Sequence, residues 1–163
     1  MKEQNTTAPN RLVLLYLSWF GVGYAPKAPG TFGSLATLPL LRWLHTLELS
    51  TLTLSLLALI MTILGCWGAD VVQRQLSLQD PQWIVIDEVI GMLITWTIVR
   101  PLTLWGWIFV FAAFRFVDIV KIWPASYFDK KVKNGAGTIL DDVVSAFYAG
   151  VFVYCCSVFI QRF

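Results

Sequence analysis

The chain has 163 residues, of which 57% are hydrophobic and 13% are charged, and its formal net charge is +2 at neutral pH. A soluble domain carries roughly 25% charged residues, so this composition argues against a soluble fold and indicates one domain, residues 1–163, embedded in lipid. So small a net charge also argues against nucleic acid as the partner.

The first predicted elements are a short apolar segment and a break in the helical pattern. Leu12 to Phe20 is too short to cross a bilayer, and we expect it to lie in the interface or to re-enter. The break that follows, GYAPKAPGTFGSL at 23–35, excludes a continuous helix because of its prolines and glycines. It ends in Thr31, Gly33 and Ser34, which can begin a helix whose first N–H groups are free to bind an anion.

The apolar stretches that follow predict an all-α, polytopic integral membrane protein with about four membrane-crossing helices. Residues 51–69 carry no charge, and at about 1.5 Å per residue a helix of that length spans the roughly 30 Å hydrocarbon core. We expect further crossings at 143–160, at 82–99 if that helix starts near Gln82, and from Pro101 to Lys121. The stretch from Ser34 to Thr46 is a weaker candidate because it contains Pro39 and Arg42.

The distribution of basic residues predicts the orientation of these helices. If the lysine-rich loop near residue 130 is cytoplasmic, alternation of the crossings sorts the remaining basic residues into two groups. The cytoplasmic group is Lys2, Arg11, Lys27, Arg74, Lys121, Lys130, Lys131 and Lys133, and the opposite group is Arg42, Arg100 and Arg162. The polar motifs described next then share the cytoplasmic face.

Five acidic residues adjoin apolar helices: Asp87, Glu88, Asp118, Asp141 and Asp142. Charged groups beside membrane spans are costly, so they need partners or a function. Brought together, five carboxylates would repel one another unless they bound a cation, and oxygen ligands without histidine or cysteine favour Mg²⁺. The alternative is helix capping, in which Asp141 and Asp142 begin the last helix and Asp87 and Glu88 begin theirs.

The segment FRFVDIVK contributes two cations to the same face. Arg115, Asp118 and Lys121 are spaced at i, i+3 and i+6, so they line one side of a helix. Two cations around one carboxylate suit a phosphate group beside a metal ion. The alternative is a local ion pair with the basic side chains snorkelling to the membrane surface.

Four ordered motifs closely resemble the bacterial phosphatidylglycerophosphatase A family. They are PGTFGSL at 29–35, IDEVIGM at 86–92, FRFVDIVKIWP at 114–124 and GAGTILDD at 135–142. The resemblance covers about residues 21–150, with one departure at Ile122, where the family commonly has proline. It implies a membrane-embedded, Mg²⁺-dependent enzyme that removes the terminal phosphate from phosphatidylglycerophosphate to give phosphatidylglycerol.

The resemblance also implies roles for individual residues. We expect the catalytic residues to be Asp87, Glu88, Asp118 and Asp142. We expect the Mg²⁺ ligands to be Glu88, Asp118, Asp141 and Asp142. We expect the substrate to contact Arg115 and Lys121. From the helix start after Pro29, whose N–H groups can bind an anion, we also expect contacts with Gly30, Thr31, Gly33 and Ser34. The cell inner membrane of a bacterium is the expected location, with the active site facing the cytoplasm.

Two functions from other classes use the same residues. A small cation transporter would relay ions along its intramembrane acids, but it would need acids spread through the depth of the bilayer. A non-catalytic partner of other lipid-synthesis proteins would not need the complete acidic set. Because the acids of this chain gather towards one side, the sequence favours the phosphatase.

Overall fold

The computed structural model describes residues 8–159, which form seven α-helices and contain no strand. The helices are α1 (Arg11–Leu17), α2 (Pro29–Thr46), α3 (Thr51–Leu76), α4 (Ile86–Val99), α5 (Leu104–Val120), α6 (Ala125–Lys131) and α7 (Gly135–Phe159). The predicted all-α class is therefore confirmed. Lys2 and Arg162, two of the charges used to predict the orientation, lie outside the described residues.

The centre of the bundle is α4. Of its 14 residues 11 are buried, and they lie on every side of the helix. A helix that is apolar all round requires neighbours on all sides, and α2, α3, α5 and α7 supply them. The N-terminal end of α4, which carries Asp87 and Glu88, therefore lies where several helices converge.

Two helices, α3 and α7, are long and apolar enough to cross a membrane. Only 33% of the apolar stretch of each is buried, and the remainder exposes large side chains such as Ile63 and Phe152. Exposed apolar surface on this scale is typical of helices that face lipid rather than water. The other predicted crossings, and the total of four, remain predictions.

Several helix boundaries differ from the predicted ones. The expected start of α4 near Gln82 is wrong, because residues 77–85 form turns and α4 begins at Ile86. At about 1.5 Å per residue, α4 is about 21 Å long, which is shorter than the hydrocarbon core. The acidic end of α4 is therefore set by a loop and not by a longer helix.

The helix after the glycine- and proline-rich break also begins earlier than expected. It starts at Pro29, because proline suits the first turn, where its missing N–H is not needed. Thr31, Gly33 and Ser34 consequently lie inside the first two turns of α2. In α7 the first residue is Gly135, so Asp141 and Asp142 lie in its second turn and do not begin the helix as predicted.

The short N-terminal segment forms α1, which has 7 residues and cannot span a membrane. Its side chains divide between two environments, since Leu17 is fully buried and Leu12 is 73% exposed. The helix ends in a turn that continues into a short 3₁₀ segment, Val22–Tyr24. Whether this segment lies in the interface or re-enters the bilayer stays a prediction.

A close contact between α4 and α5 depends on a glycine. A Cβ atom added at Gly91 would lie 2.3 Å from the ring of Phe114, whereas one added at Gly65 in α3 would meet Ile90 at an ordinary 3.4 Å. Phe114 is fully buried, so its ring has little space into which it could move. The contact sets the distance between the helix that carries Glu88 and the helix that carries Arg115.

We therefore expect Gly91→Ala to destabilise the protein by about 1–3 kcal/mol, which is usual for an overpacked core. Gly65→Ala is the matched control, because it makes the same change in another helix without a clash. Its melting temperature in detergent should equal or exceed that of the unaltered protein, since alanine favours a helix. Equal melting temperatures for the two variants would contradict the packing of α4 on α5.

Candidate active site

The first acidic pair lies at the start of α4. Asp87 is buried and accepts a hydrogen bond at Oδ1 from the backbone N–H of Glu88, at 3.1 Å. The residue before the helix, Val85, has no capping side chain. The loop that ends in Val85 thus places both carboxyl groups inside the bundle, and the Glu88 side chain is only 14% exposed.

The second acidic pair lies in α7, one turn inside the helix. The cap at its start is Asn134, whose Oδ1 accepts hydrogen bonds from the N–H groups of Ala136 and Gly137. Asp141 and Asp142 are nevertheless almost completely buried, at 4% and 3% exposure. The capping alternative is therefore wrong for this pair, because another residue caps the helix.

The two pairs meet across the interface between α4 and α7. Carboxylate oxygens of Asp87, Glu88 and Asp142 lie within 4.8 Å of one another. Of these carboxylates, Glu88 Oε2 and Asp142 Oδ2 are buried and have no hydrogen-bond partner among the described residues. We call these three residues the acidic cluster. It includes Asp87, which was not among the expected metal ligands.

The other two expected ligands are paired with cations instead. Asp118 Oδ2 lies 2.7 Å from Nη1 of Arg115, which is also 3.7 Å from Oε1 of Glu88. The predicted i, i+3 pair therefore exists. The Arg115 side chain is only 15% exposed, so it remains inside the protein and does not snorkel to the surface. It stands between Asp118 and the acidic cluster.

Lys121 ends α5 in a left-handed conformation and connects two further helices. Its Nζ donates hydrogen bonds to Asp141 in α7 and to Oδ1 of Asp129 in α6, the latter at 2.7 Å. Lys121 therefore joins the end of α5 to α6 and α7 and holds Asp141 in place.

Asp129 is the site residue that the sequence analysis missed. It lies directly before Lys130 and Lys131, in a segment that we interpreted as a basic loop at the membrane surface. The structure turns that segment into α6, which packs on α7. The only signal in the sequence was a single acidic residue beside several lysines, and this pattern does not show which lysine the acid pairs with.

A cavity of about 510 Å³ opens beside these charged groups. The walls carry the five acidic residues of the sequence motifs, both cations and the beginning of α2, but not Asp129. They include Asp87, Glu88, Asp118, Asp141, Asp142, Arg115 and Lys121, together with residues 28–31. The four sequence motifs thus meet at one cavity, as expected from their placement at helix ends on one side of the bundle.

Only part of the glycine-rich motif reaches the cavity. Gly30 and Thr31 line it, whereas Gly33 faces Val85 and the buried Ser34 donates a hydrogen bond back to the carbonyl of Gly30. Gly33 and Ser34 therefore lie behind the wall. Neither residue lines the cavity, so the structure gives no support to their expected role in substrate binding.

The first turn of α2 offers fewer free N–H groups than we expected. Pro29 has none, and the amides of Thr31 and Phe32 donate to the carbonyl of Ala28, at 3.0 and 3.2 Å. Gly30 has another function, because a Cβ atom there would lie 1.9 Å from Oε1 of Glu88 and 3.3 Å from Arg115. The glycine lets the backbone of α2 approach the acidic cluster.

Comparisons with known proteins agree on one family. A family model for phosphatidylglycerophosphatase A matches residues 15–157. A phosphatidylglycerophosphatase A of Haemophilus influenzae is 38% identical over 139 residues, which are 83% of this chain and 82% of that protein. One from Escherichia coli is 34% identical over 136 residues, or 83% of this chain and 77% of that protein.

A third relative carries a different name. A Bacteroides thetaiotaomicron protein named "Putative phosphatidylinositol-3-phosphatase" is 32% identical over 150 residues, or 89% of this chain and 93% of that protein. No solved structure matches the chain.

The charge pattern predicts opposite stability changes for two neighbouring aspartates. Asp142→Asn removes a negative charge from the acidic cluster, so we expect a higher melting temperature in detergent with excess chelator. Asp141→Asn removes a partner of Lys121, whose side chain is only 29% exposed, so we expect a lower melting temperature.

The two variants control for each other, since both make the same isosteric change in adjacent, buried positions. Shifts of the same sign would contradict the division into an acidic cluster and a cation-paired aspartate.

Proposed function

Because the chain belongs to the phosphatidylglycerophosphatase A family, we propose that it hydrolyses the terminal phosphate of phosphatidylglycerophosphate to give phosphatidylglycerol and inorganic phosphate. The observation that carries this proposal is the cavity in which the acidic cluster lies beside Arg115. A phosphate monoester needs positive charge around its oxygens and a group that accepts the proton of water. Both kinds of group line the one cavity.

We further propose that Mg²⁺ binds at Asp87, Glu88 and Asp142. The site fits this ion because its ligands are all carboxylate oxygens, they lie within 4.8 Å of one another, and two are buried without partners. When bound, Mg²⁺ supplies positive charge that neutralises phosphate oxygens and makes water more acidic. Asp118 and Asp141, which were also expected as ligands, are held beside the cluster by Arg115 and Lys121.

In this mechanism Arg115 binds the phosphate. Its guanidinium faces the cavity between Asp118 and Glu88, and its Nε is buried without a hydrogen-bond partner in the described part of the chain. A guanidinium can donate two parallel hydrogen bonds to phosphate oxygens. Asp118 orients Arg115 by its ion pair, which gives that carboxylate a positioning role.

A carboxylate of the acidic cluster then acts as the general base. It accepts a proton from water as the water oxygen attacks phosphorus, the bond from phosphorus to the glycerol oxygen breaks, and that oxygen is protonated. Attack by an aspartate on phosphorus is the alternative route, with hydrolysis of the aspartyl phosphate afterwards. Lys121 does not need to touch the substrate, because Asp129 and Asp141 already occupy its Nζ.

We place the protein in the bacterial inner membrane as a multi-pass protein whose site faces the cytoplasm. Basic residues are more frequent on the cytoplasmic side of membrane proteins. Lys130, Lys131 and Lys133 adjoin the site, whereas Arg100 lies at the opposite end of α4. The recessed acidic end of the short α4 suits a phosphate at the headgroup depth. The transporter alternative lacks support, since the buried acids of the described chain gather at one end.

The deciding experiment is phosphate release by purified protein in detergent micelles. We expect release from phosphatidylglycerophosphate with Mg²⁺ and almost none in excess chelator. Glu88→Gln should lose roughly 10²-fold or more in turnover with Mg²⁺, because it removes charge that the reaction needs. Asp70→Asn is the matched control, because Asp70 pairs with Arg74 outside the cavity, and its turnover should be normal.

Phosphatidylinositol 3-phosphate belongs in the same assay, because one relative is named for that substrate. If phosphate were released faster from this lipid, it would replace phosphatidylglycerophosphate as the proposed substrate. The proposed hydrolysis mechanism would be unchanged. Full turnover of phosphatidylglycerophosphate in chelator would rule out the metal. Normal turnover of Glu88→Gln would rule out this site.

The orientation can be tested separately in intact cells. A single cysteine in place of Lys131 should react with a membrane-impermeant maleimide only after the inner membrane has been permeabilised, because only then does the reagent reach the cytoplasm. A cysteine at Leu102, 69% exposed near the other end of α4, should react from outside that membrane. Native Cys66, Cys155 and Cys156 must first be replaced. Reaction of both positions from one side would contradict the proposed topology.

A further inference from the structure

Gln73 is a buried polar residue near the C-terminal end of α3. It is only 7% exposed, whereas the side chain of its neighbour Arg74 is 78% exposed. Burying an amide is costly unless the amide is hydrogen-bonded. The partner of Gln73 is Thr138 of α7, whose Oγ1 accepts a hydrogen bond from Nε2 of Gln73 at 2.8 Å. Thr138 belongs to the motif GAGTILDD, in which the sequence analysis assigned roles only to the two aspartates.

The hydroxyl of Thr138 does not make the hydrogen bond that is usual for a threonine inside a helix. Four other threonines donate to the carbonyl four residues earlier: Thr37, Thr62, Thr95 and Thr97. The hydroxyl of Thr138 has no acceptor among the described residues, and its one bond is the one that it accepts from Gln73. A hydroxyl can donate as well as accept, so Thr138 keeps its own hydrogen for a further acceptor.

Two cavities meet at Thr138. The large cavity of about 510 Å³ has Thr138 in its wall but not Gln73. Gln73 lines a small neighbouring cavity of about 20 Å³, and Thr138 lines this cavity as well. The amide of Gln73 therefore reaches Oγ1 from the side of the small cavity. The hydrogen of the Thr138 hydroxyl is left on the side of the large one.

Thr138 lies one turn before the two aspartates of α7. Residues three and four apart share a face of a helix, so its hydroxyl stands beside Asp141 and Asp142 in the cavity wall. Asp141 Oδ1 and Asp142 Oδ2 have no hydrogen-bond partner among the described residues, so neither oxygen takes the proton of Thr138. Thr138 is thus a neutral donor on a wall whose other α7 side chains, when ionised, only accept.

A phosphate group offers acceptor oxygens, so it needs donors from the protein. Arg115 provides them from α5, and Thr138 provides one from α7. We propose that Thr138 donates a hydrogen bond to an oxygen of the substrate's phosphate group, and that Gln73 is the positioning residue that directs the hydroxyl into the cavity. This rests on the proposed function, in which the terminal phosphate enters the cavity. A hydrogen bond to a charged acceptor is stronger than one between neutral groups.

Isosteric substitutions test the contact by kinetics. Thr138→Val removes the hydroxyl and keeps the shape of the side chain, so we expect kcat/KM for phosphatidylglycerophosphate to fall roughly tenfold. Thr138→Ser keeps the hydroxyl and should retain most of the activity. Thr62→Val is the matched control, because the hydroxyl of Thr62 bonds to the carbonyl of Ala58 and lies outside the large cavity. Normal kcat/KM for Thr138→Val would overturn the proposal.

A double variant guards against a loss that comes from misfolding. Thr138→Val alone leaves the buried amide of Gln73 without its acceptor, which also destabilises the protein. Gln73→Leu combined with Thr138→Val removes both polar groups, so its melting temperature in detergent should stay close to that of the unaltered protein. Its kcat/KM should still fall roughly tenfold. A normal kcat/KM in this double variant would overturn the proposal even if Thr138→Val did not fold.

Gln73→Glu tests whether Gln73 directs the hydroxyl or only joins α3 to α7. An ionised carboxylate can only accept, so the hydroxyl of Thr138 must turn its hydrogen away from the phosphate and towards the new carboxylate. We expect the same loss of kcat/KM as for Thr138→Val, and no further loss when the two changes are combined. Unchanged activity in Gln73→Glu would reject the positioning role. A further loss in the combined variant would assign the effect to repulsion by the new charge and would also reject it.

Binding of inorganic phosphate measures the contact without turnover. In titration calorimetry with Mg²⁺ in detergent, Thr138→Val should bind phosphate roughly tenfold more weakly than the unaltered protein, and Thr62→Val should bind it equally well. Weaker binding by Thr138→Val, in a protein that hydrolyses no lipid phosphate, would reject the enzymatic activity and keep the phosphate contact. Mg²⁺-dependent hydrolysis together with unchanged phosphate affinity in Thr138→Val would keep the enzyme and reject the contact.

Discussion

Three carboxylates lie within 4.8 Å of one another at the buried junction of α4 and α7. Two unit charges 4 Å apart repel by about 4 kcal/mol at an effective dielectric constant near 20, so Asp87, Glu88 and Asp142 cannot all be ionised without compensation. The neighbouring groups of the site offset part of that repulsion. Arg115 approaches Glu88 from α5, and both Glu88 and Asp142, each with one buried oxygen that has no partner among the described residues, line the cavity.

The surrounding ion pairs offset part of the negative charge of the remaining acids. Asp118 is paired with Arg115, and Asp141 with Lys121. Because each cation belongs to the end of α5, this one helix neutralises an acid of its own and an acid of α7. Asp129 completes the arrangement by binding Lys121 from α6. The charge balance of the site therefore depends on the packing of α5, α6 and α7.

Close backbone contacts make that packing geometrically possible. Gly30 allows α2 to touch the carboxylate of Glu88, and Gly137 lies so near the carbonyl of Val132 that a Cβ atom would be 1.7 Å from it. A Cβ atom at Gly135 would lie 2.1 Å from the backbone nitrogen of Asp70 in α3. The glycines in the sequence motifs thus act mainly as contact points between helices. Only Gly30 among them also lines the cavity.

Composition and local pattern were enough to predict the all-α class, the apolar helices α3 and α7, and the gathering of Asp87, Asp142, Arg115 and Lys121 at one end of the bundle. These properties depend on which residues are apolar and on which helix ends carry charge, and both can be read along the chain. Tertiary structure decided the rest. It determined that Asp87 lies within 4.8 Å of Glu88 and Asp142, that Lys121 binds Asp129, and that Ser34 faces away from the cavity. Those outcomes depend on helix rotation and on loop endings, which are set by contacts between residues distant in sequence, and no local spacing encodes them.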